Sequence, residues 1–466
     1  MKKILITLCL FVFANYFLIA QVTQIGNEIN GSENNLQAGA SLSFNNTGDV
    51  LAIGYLYTNP FFEDLGMGRV FEFQNGEWIQ KGSDIGDQYP DDKGFHISLN
   101  VDGSVLAMST GSYSGGNSVV TIYEFVNDDW QLMGNPIDID EGTAKLNDLG
   151  NTVIVSNSIS NELKVYEFLN NDWQLKGDVI ISNGVFWGLP VDIDSTGNII
   201  AALNFNGGLS HSINIYIYEN NQWNQIGEIE AEPFYQFKLN FDLNKHGDAF
   251  VINTYKEDVN EVLFIETKVY NYINNVWTQV GTNIINNPTE EFFYIEGQAT
   301  ISADGNIIAI GNPIGNGSVM LYKSINNEWI QLDNGIQGNG GEFGRALSFN
   351  DDATLLSVGA PKFSDIGNLF GQVKVYEIDY ELFDVKDNSL LSTITLFPNP
   401  THDYFIINSQ NEILINNINI YDVSGRLLLS KNNPSNQINI SSLTDGLLFV
   451  QLETEKGIKV EKIIKQ

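Results

Sequence analysis

Leu42-Ser43-Phe44-Asn45-Asn46-Thr47-Gly48-Asp49-Val50-Leu51-Ala52-Ile53-Gly54 is the stretch on which the reading of the fold turns. Two apolar runs flank an Asn-Asn-Thr-Gly turn, the pattern of a β-hairpin. The block recurs at residues 97–109, 301–312 and 347–359, and in more diverged form at 146–156, 191–203 and 241–253. A second block lies between these copies and is centred on Trp78, Trp130, Trp173, Trp223, Trp277 and Trp329. Its spacing of about 43 to 54 residues is that of a four-stranded propeller blade. Seven residues before each Trp stands an aromatic (Phe71, Tyr123, Tyr166, Tyr216, Tyr270, Tyr322). Four residues after it stands Gly (Gly82, Gly134, Gly177, Gly227, Gly281), with Asp333 the departure.

The hairpin block has seven copies and the Trp block six. The missing one is split between the ends of the repeat region. Val22-Thr23-Gln24-Ile25-Gly26 matches Trp277-Thr278-Gln279-Val280-Gly281 with Val for Trp, and Val373-Lys374-Val375-Tyr376-Glu377 matches the strand that precedes the Trp. The expectation is an all-β chain: a seven-bladed β-propeller over residues 21–380, its last blade completed by an N-terminal strand at 22–29. Such closure removes the two open sheet edges. Phe383 sits at the Trp-equivalent distance from Tyr376, so the segment after 380 is a second possible source of the closing strand.

Phe343-Gly344-x-x-Leu347-Ser348-Phe349 followed by Val358-Gly359-Ala360-Pro361 resembles the FG-GAP repeat of integrin-α-type propellers, most clearly in this last blade. The resemblance implies that some blades could hold calcium in an Asp-x-Asp-x-Asp-Gly-x-x-Asp-type loop. The nearest counterparts are Asp192-x-Asp194-x-Thr196-Gly197 and Asp242-x-Asn244-x-His246-Gly247, so Asp192, Asp194, Asp242 and Asn244 are the candidate ligands. Ile200 and Phe250 stand where the late acid would be, and calcium wants six to eight oxygens. No cofactor is required by this reading; Ca2+ is the candidate ion.

The ends have their own logic. Lys2 and Lys3, the apolar run from Ile4 to Phe13, and Ala20 before Gln21 form a secretory signal over residues 1–20. Cys9, the chain's one cysteine, lies inside it, so the mature part has no thiol chemistry. After a linker at 381–392, residues 393–466 carry Leu396-Phe397-Pro398-Asn399-Pro400, Tyr421-Asp422-Val423-Ser424-Gly425-Arg426 and Thr444-Asp445-Gly446, short strands separated by turns. This stretch resembles the type A C-terminal sorting domain of the type IX secretion system, with Phe397 in place of the usual Tyr. The resemblance implies a small Ig-like β-sandwich, the type IX machinery as a partner, and delivery to the outer surface or the medium.

The 466 residues carry 57 acids against 23 bases, a formal charge of −34. That balance excludes a nucleic-acid surface and disfavours an anionic membrane surface. No stretch after the signal is long and apolar enough for a membrane helix. Asn is about as frequent as Asp and Glu together, which is turn chemistry.

In each repeat the turns after the first and third strands are short and uniform, whereas the other two connections are long and variable and open on the opposite face. Function gathers on such loops. Tyr89, Asp91, Asp92, Trp187, Phe234, Tyr235, Glu291 and Tyr294 lie there and form the candidate binding rim, suited to a glycan or a protein ligand. Period-two alternation on the innermost strands points Ser41, Ser43, His96, Ser98, Thr143, Lys145, Asp192, Asn240, Asp242, Gln298, Thr300 and Ser348 into the central channel.

There is no His-Glu-x-x-His, Gly-x-Ser-x-Gly or phosphate loop, and the four histidines do not converge in the repeat pattern. The expectation is therefore a surface-displayed or released binding and adhesion protein. The alternatives are an extracellular carbohydrate-active enzyme using rim acids, whose paired carboxylates would stand about 5–9.5 Å apart, and a calcium-stabilised adhesion scaffold.

Overall fold

The computed structural model describes residues 21–31, 36–57, 65–86, 94–110, 118–139, 142–157, 160–181, 190–205, 211–231, 239–257, 263–286, 297–332, 334–365, 368–380, 394–409, 414–422, 426–454 and 457–466. The chain divides into two compact units, one ending at Asp379 and one from Tyr380 to Gln466. The described elements are all strands, and among the described residues no helix is long and apolar enough to cross a membrane.

The first unit is a seven-bladed β-propeller. Six sheets are consecutive antiparallel meanders. The first, for example, runs Leu36–Phe44, Val50–Tyr57, Leu65–Gln74 and Glu77–Gln80 from the channel outward. The seventh joins Ala346–Phe349, Leu355–Ala360 and Gln372–Asp379 to Gln21–Asn30 as its outermost strand. Gln21 pairs with Asp379, Ile25 with Val375 and Asn30 with Gln372. Phe383, the other source considered for this strand, lies outside the described residues.

The turns explain the Asn content. Between the third and outer strands, Asn75-Gly76, Asn127-Asp128, Asn170-Asn171, Asn220-Asn221, Asn274-Asn275 and Asn326-Asn327 all have φ between 52° and 88°. Positive φ at both central residues is the type I′ turn, whose twist matches a hairpin. Between the inner and second strands, Asn45 Oδ1 accepts from the N–H groups of Gly48 (2.9 Å) and Val50 (3.0 Å). Asn100, Asn147, Asp194, Asn244, Ser302 and Asn350 repeat this once per blade. Each is a buried polar group whose acceptor is used up closing its own turn.

These turns also bind to one another around the pore. Asn46 N–H donates to Val101 O (2.9 Å), Val101 to Asp148 (2.9 Å), Asp148 to Ser195 (3.2 Å) and Ser195 to Lys245 (2.8 Å). Ala303 donates to Asp351 (3.3 Å), and Asp351 back to Asn46 (3.1 Å). The step from blade five to blade six is made by a side chain, Asn244 Nδ2 donating to Ala303 O at 2.9 Å. The result is a hydrogen-bonded belt of seven links.

The repeated Trp locks blade to blade. Trp130, Trp173, Trp223 and Trp329 donate their indole N–H to a carbonyl of the preceding blade, at 2.8, 2.7, 2.9 and 3.1 Å. The Gly four residues after each Trp packs on the Trp of the next blade. A β-carbon on Gly82 would lie 2.7 Å from Trp130 Cδ1, and one on Gly227 2.4 Å from Trp277 Cδ1. Gly26, on the closing strand, sits the same way against Trp78 at 2.7 Å. The Asp333 departure now has a reason at the sequence level: the blade that follows carries Val22 where the others carry Trp, so no indole demands a glycine there. Asp333 itself lies outside the described residues.

The second unit is a small β-sandwich. One sheet holds Ile394–Phe397, Tyr404–Ser409 and Gln437–Asn439; the other holds Leu427–Asn432, Ile415–Tyr421, Gly446–Thr454 and Gly457–Lys465. Phe405, Ile407, Ile418, Ile420, Ile438, Leu448, Val450 and Ile463 form its core.

Candidate functional site

The eight candidate rim residues, Tyr89, Asp91, Asp92, Trp187, Phe234, Tyr235, Glu291 and Tyr294, lie outside the described residues. The central channel does not. It is a cavity of about 200 Å³ lined by all twelve residues that strand alternation points inward.

Their first task is structural. An innermost strand presents unpaired N–H groups toward the next blade, and the channel side chains accept them. Ser43 Oγ takes Leu99 N–H (2.9 Å), Ser98 Oγ takes Leu146 (3.0 Å), and Ser348 Oγ takes Phe44 (3.0 Å) across the ring closure. Asp192 Oδ2 takes Leu243 N–H (2.8 Å) and Asp242 Oδ2 takes Ile301 N–H (2.9 Å). Blade three has Lys145 at this level, which can only donate. Ile193 N–H is accordingly taken by the side chain of the preceding residue, Asp192 Oδ1, at 2.9 Å.

Lys145 instead joins the two acids, with Nζ 3.2 Å from Asp192 Oδ1 and 3.4 Å from Asp242 Oδ1. Burial alone would lower the Lys145 ammonium, but the two carboxylates outweigh it and hold it above its ordinary value. Burial pushes the Asp192 carboxyl up, while Lys145 pulls it back. A second triad crosses the turn-side mouth: Lys245 Nζ lies 3.2 Å from Asp148 Oδ1 and 2.6 Å from Asp351 Oδ1. It ties blades three, five and seven together.

Replacing Lys145 by Met should leave Asp192 and Asp242 facing each other without a cation. The expected cost is roughly 1–3 kcal/mol, between an exposed and a fully buried pair. Combining Lys145→Met with Asp192→Asn and Asp242→Asn should recover most of the lost melting temperature. No recovery would mean that the charges are not what the lysine balances.

His96 lines the loop-side half of the channel and is exposed to the channel's solvent. Enclosure by the ring of blades, then the Lys145 charge, lowers it from 6.5 to about 4 at the furthest, since that solvent screens both effects. A histidine lowered in the folded state contributes stability that is whole above 6.5 and lost as pH falls through about 4. Melting temperature should therefore decline across that window, and His96→Gln should flatten the decline. An identical slope in the variant would refute this assignment.

Of the candidate calcium ligands, Asp192 and Asp242 meet on Lys145, whereas the Asp194 carboxylate and the Asn244 Oδ1 are spent inside their own turns. Asp194 Oδ1 accepts from Asn198 and Ile199 N–H (2.8 and 2.7 Å), and Oδ2 from the Thr196 hydroxyl (2.5 Å). Asn244 Oδ1 accepts from Asp248 and Ala249 N–H (3.0 and 2.8 Å). Among the described residues no group of three or more His, Cys, Asp or Glu side chains is placed to hold a metal ion.

Sequence reading missed the belt, the second triad and the aromatic partner of each Trp. That partner is the residue five before it, directly opposite across the hairpin: Phe73, Phe125, Phe168, Tyr218 and Tyr272, with ring centroids 5.0–5.2 Å from the indole. The signal was available in the −5 position of five repeats.

Fold and site thus define a sealed-ring propeller joined to a separate β-sandwich. The sandwich identifies the delivery route: residues 395–466 match the secretion system C-terminal sorting domain family. The C-terminal unit is a sorting domain of the type IX system, and the protein is secreted or held on the outer cell surface.

No curated protein matches the chain. Among solved structures it is similar to a 6-phosphogluconolactonase candidate from Bacteroides fragilis, at 10% identity and TM-score 0.46, over 69% of this chain and 96% of that one. It is also similar to a protein of unknown function from Desulfotomaculum acetoxidans, at 13% identity and TM-score 0.46, over 69% and 98%. A third is a Lactobacillus plantarum protein, at 11% identity and TM-score 0.45, over 84% and 98%.

Proposed function

We propose that the mature protein is a surface-displayed or released binding protein whose recognition surface is the long-loop face of the propeller, with a glycan or a protein as ligand. One observation carries this reading: the acceptors of the short turns and the acids of the channel are already committed. The short turns spend their acceptors on their own closure and on the belt. The channel acids are engaged by backbone amides and Lys145. What remains for function is the other face, where connections 182–189, 232–238 and 287–296 carry Trp187, Phe234, Tyr235, Glu291 and Tyr294 in sequence. Aromatic faces with carboxylates beside them suit sugar rings and their hydroxyls. The likeness of the last blade to FG-GAP repeats supports an adhesive role.

The test is a glycan and protein array screened with residues 21–466. Binding that falls at least tenfold in Trp187→Ala at unchanged melting temperature is the expected result. Hydrolysis of a bound glycan would replace this reading with the carbohydrate-active enzyme. Absence of any ligand on both arrays would overturn it.

A further inference from the structure

We infer that the loop-side half of the channel is the floor of this binding site and takes a neutral polyhydroxylated group, such as the terminal ring of a glycan. The inference rests on the loop-face reading above and adds to it a place and a ligand chemistry.

Position comes first. The Lys245 triad lies at the turn-side mouth, inside the belt, and the groups that would hold the ligand lie toward the other end of the channel. Its hydrogen-bonding set comes next. Asn240 Oδ1 accepts Ala299 N–H at 3.2 Å, and Gln298 Oε1 accepts Leu347 N–H at 2.8 Å. A backbone N–H can pair only with the amide oxygen, so these contacts settle which way both carboxamides face. Each NH2 is left on the other side, and among the described residues neither has a partner. Both residues line the cavity, on adjacent blades. Ser41 adds a third donor: its Oγ accepts Ile97 N–H at 3.2 Å, which leaves the hydroxyl hydrogen for a ligand.

Charge then selects among acceptor-bearing ligands. The channel holds two lysines, each engaged by two aspartates. An anion would meet net negative charge with no uncommitted cation to receive it. Neutral hydroxyl and ring oxygens meet donors without that repulsion. Size agrees. The whole channel has about 200 Å³, less than the roughly 300 Å³ where drug-sized sites begin, which limits its occupant to one small group.

The experiment uses residues 21–466 with glucose, galactose, mannose and N-acetylglucosamine as probes, followed by saturation-transfer NMR and calorimetry. Asn240→Asp and Gln298→Glu keep the oxygen that holds the neighbouring blade and replace the donor NH2 by oxygen. At least one probe should bind, and each variant should weaken it tenfold or more at a temperature where the variant is still fully folded. If Asn240→Asp destabilises the ring, Gln298→Glu alone decides. No binding of any probe to the unmodified chain overturns the channel site; a ligand found on the arrays would still leave the loop-face reading standing. Binding unchanged in both variants but lost in Trp187→Ala also overturns it, placing the sugar on the rim.

Discussion

A mature chain lacking residues 21–30 is expected to lose its cooperative melting transition and to elute as aggregates. The deleted segment is one of forty strands among the described residues but the seam of the ring by position. Without it, Gln372–Asp379 becomes an open edge, the kind of surface that recruits other chains. Ile29 leaves a core shared with Leu36, Leu42, Val373 and Val375. Trp78 loses both Gly26, against which it packs, and the Asn27 side chain that accepts its backbone N–H at 2.7 Å. A synthetic peptide of residues 21–30 added in trans should restore part of the monomer by strand addition. A truncated chain that stays monomeric and melts as sharply as the parent would show that the ring does not depend on this seam.

The second large effect is expected at the Trp–Gly contact. Trp130→Ala should cost about 2–4 kcal/mol, below the roughly 3–5 kcal/mol of a fully buried aromatic, because the indole is only partly buried against its core cluster. Gly82→Ala should cost about 2–4 kcal/mol. Its β-carbon would meet Trp130 Cδ1 at 2.7 Å, and its φ of +78° is left-handed. Gly76→Ala is the control. It has φ +88° but nothing within 4 Å of the added carbon, so it should show only the backbone penalty of about 1–2 kcal/mol. The double variant Gly82→Ala with Trp130→Ala should cost clearly less than the sum of the two, because the clash leaves with the indole. Strict additivity in thermal melts would break the link between these residues.

The architecture was legible because each blade repeats the same physical problem. Period-two alternation on seven inner strands placed Ser43, Ser98, Lys145, Asp192, Asp242, Thr300 and Ser348 in one channel without any structure. Contacts between blades were less legible. Nothing in the order of residues says that Asp148, Lys245 and Asp351, on blades three, five and seven, meet at one mouth; only the radius of the closed ring brings them together. The aromatic seven residues before each Trp was visible as a recurrence, but the hairpin register opposes the Trp to the residue five back. Acids are not confined to the long loops: Asp49, Asp102, Asp248, Asp304 and Asp352 sit in the turns of the opposite face. The rim falls in connections whose course depends on their own sequences and not on the repeat, so periodicity says least where recognition is proposed.

The seam also decides how the ring bears load. Asp379 is the last residue of the propeller before the chain leaves toward the sorting domain. A load reaching the propeller through the C-terminal segment enters at the end of Gln372–Asp379. That strand is laced on one side to Leu355–Ala360 and on the other to Gln21–Asn30. A force along the strand would shear the bonds of both ladders together, so the load is shared between them.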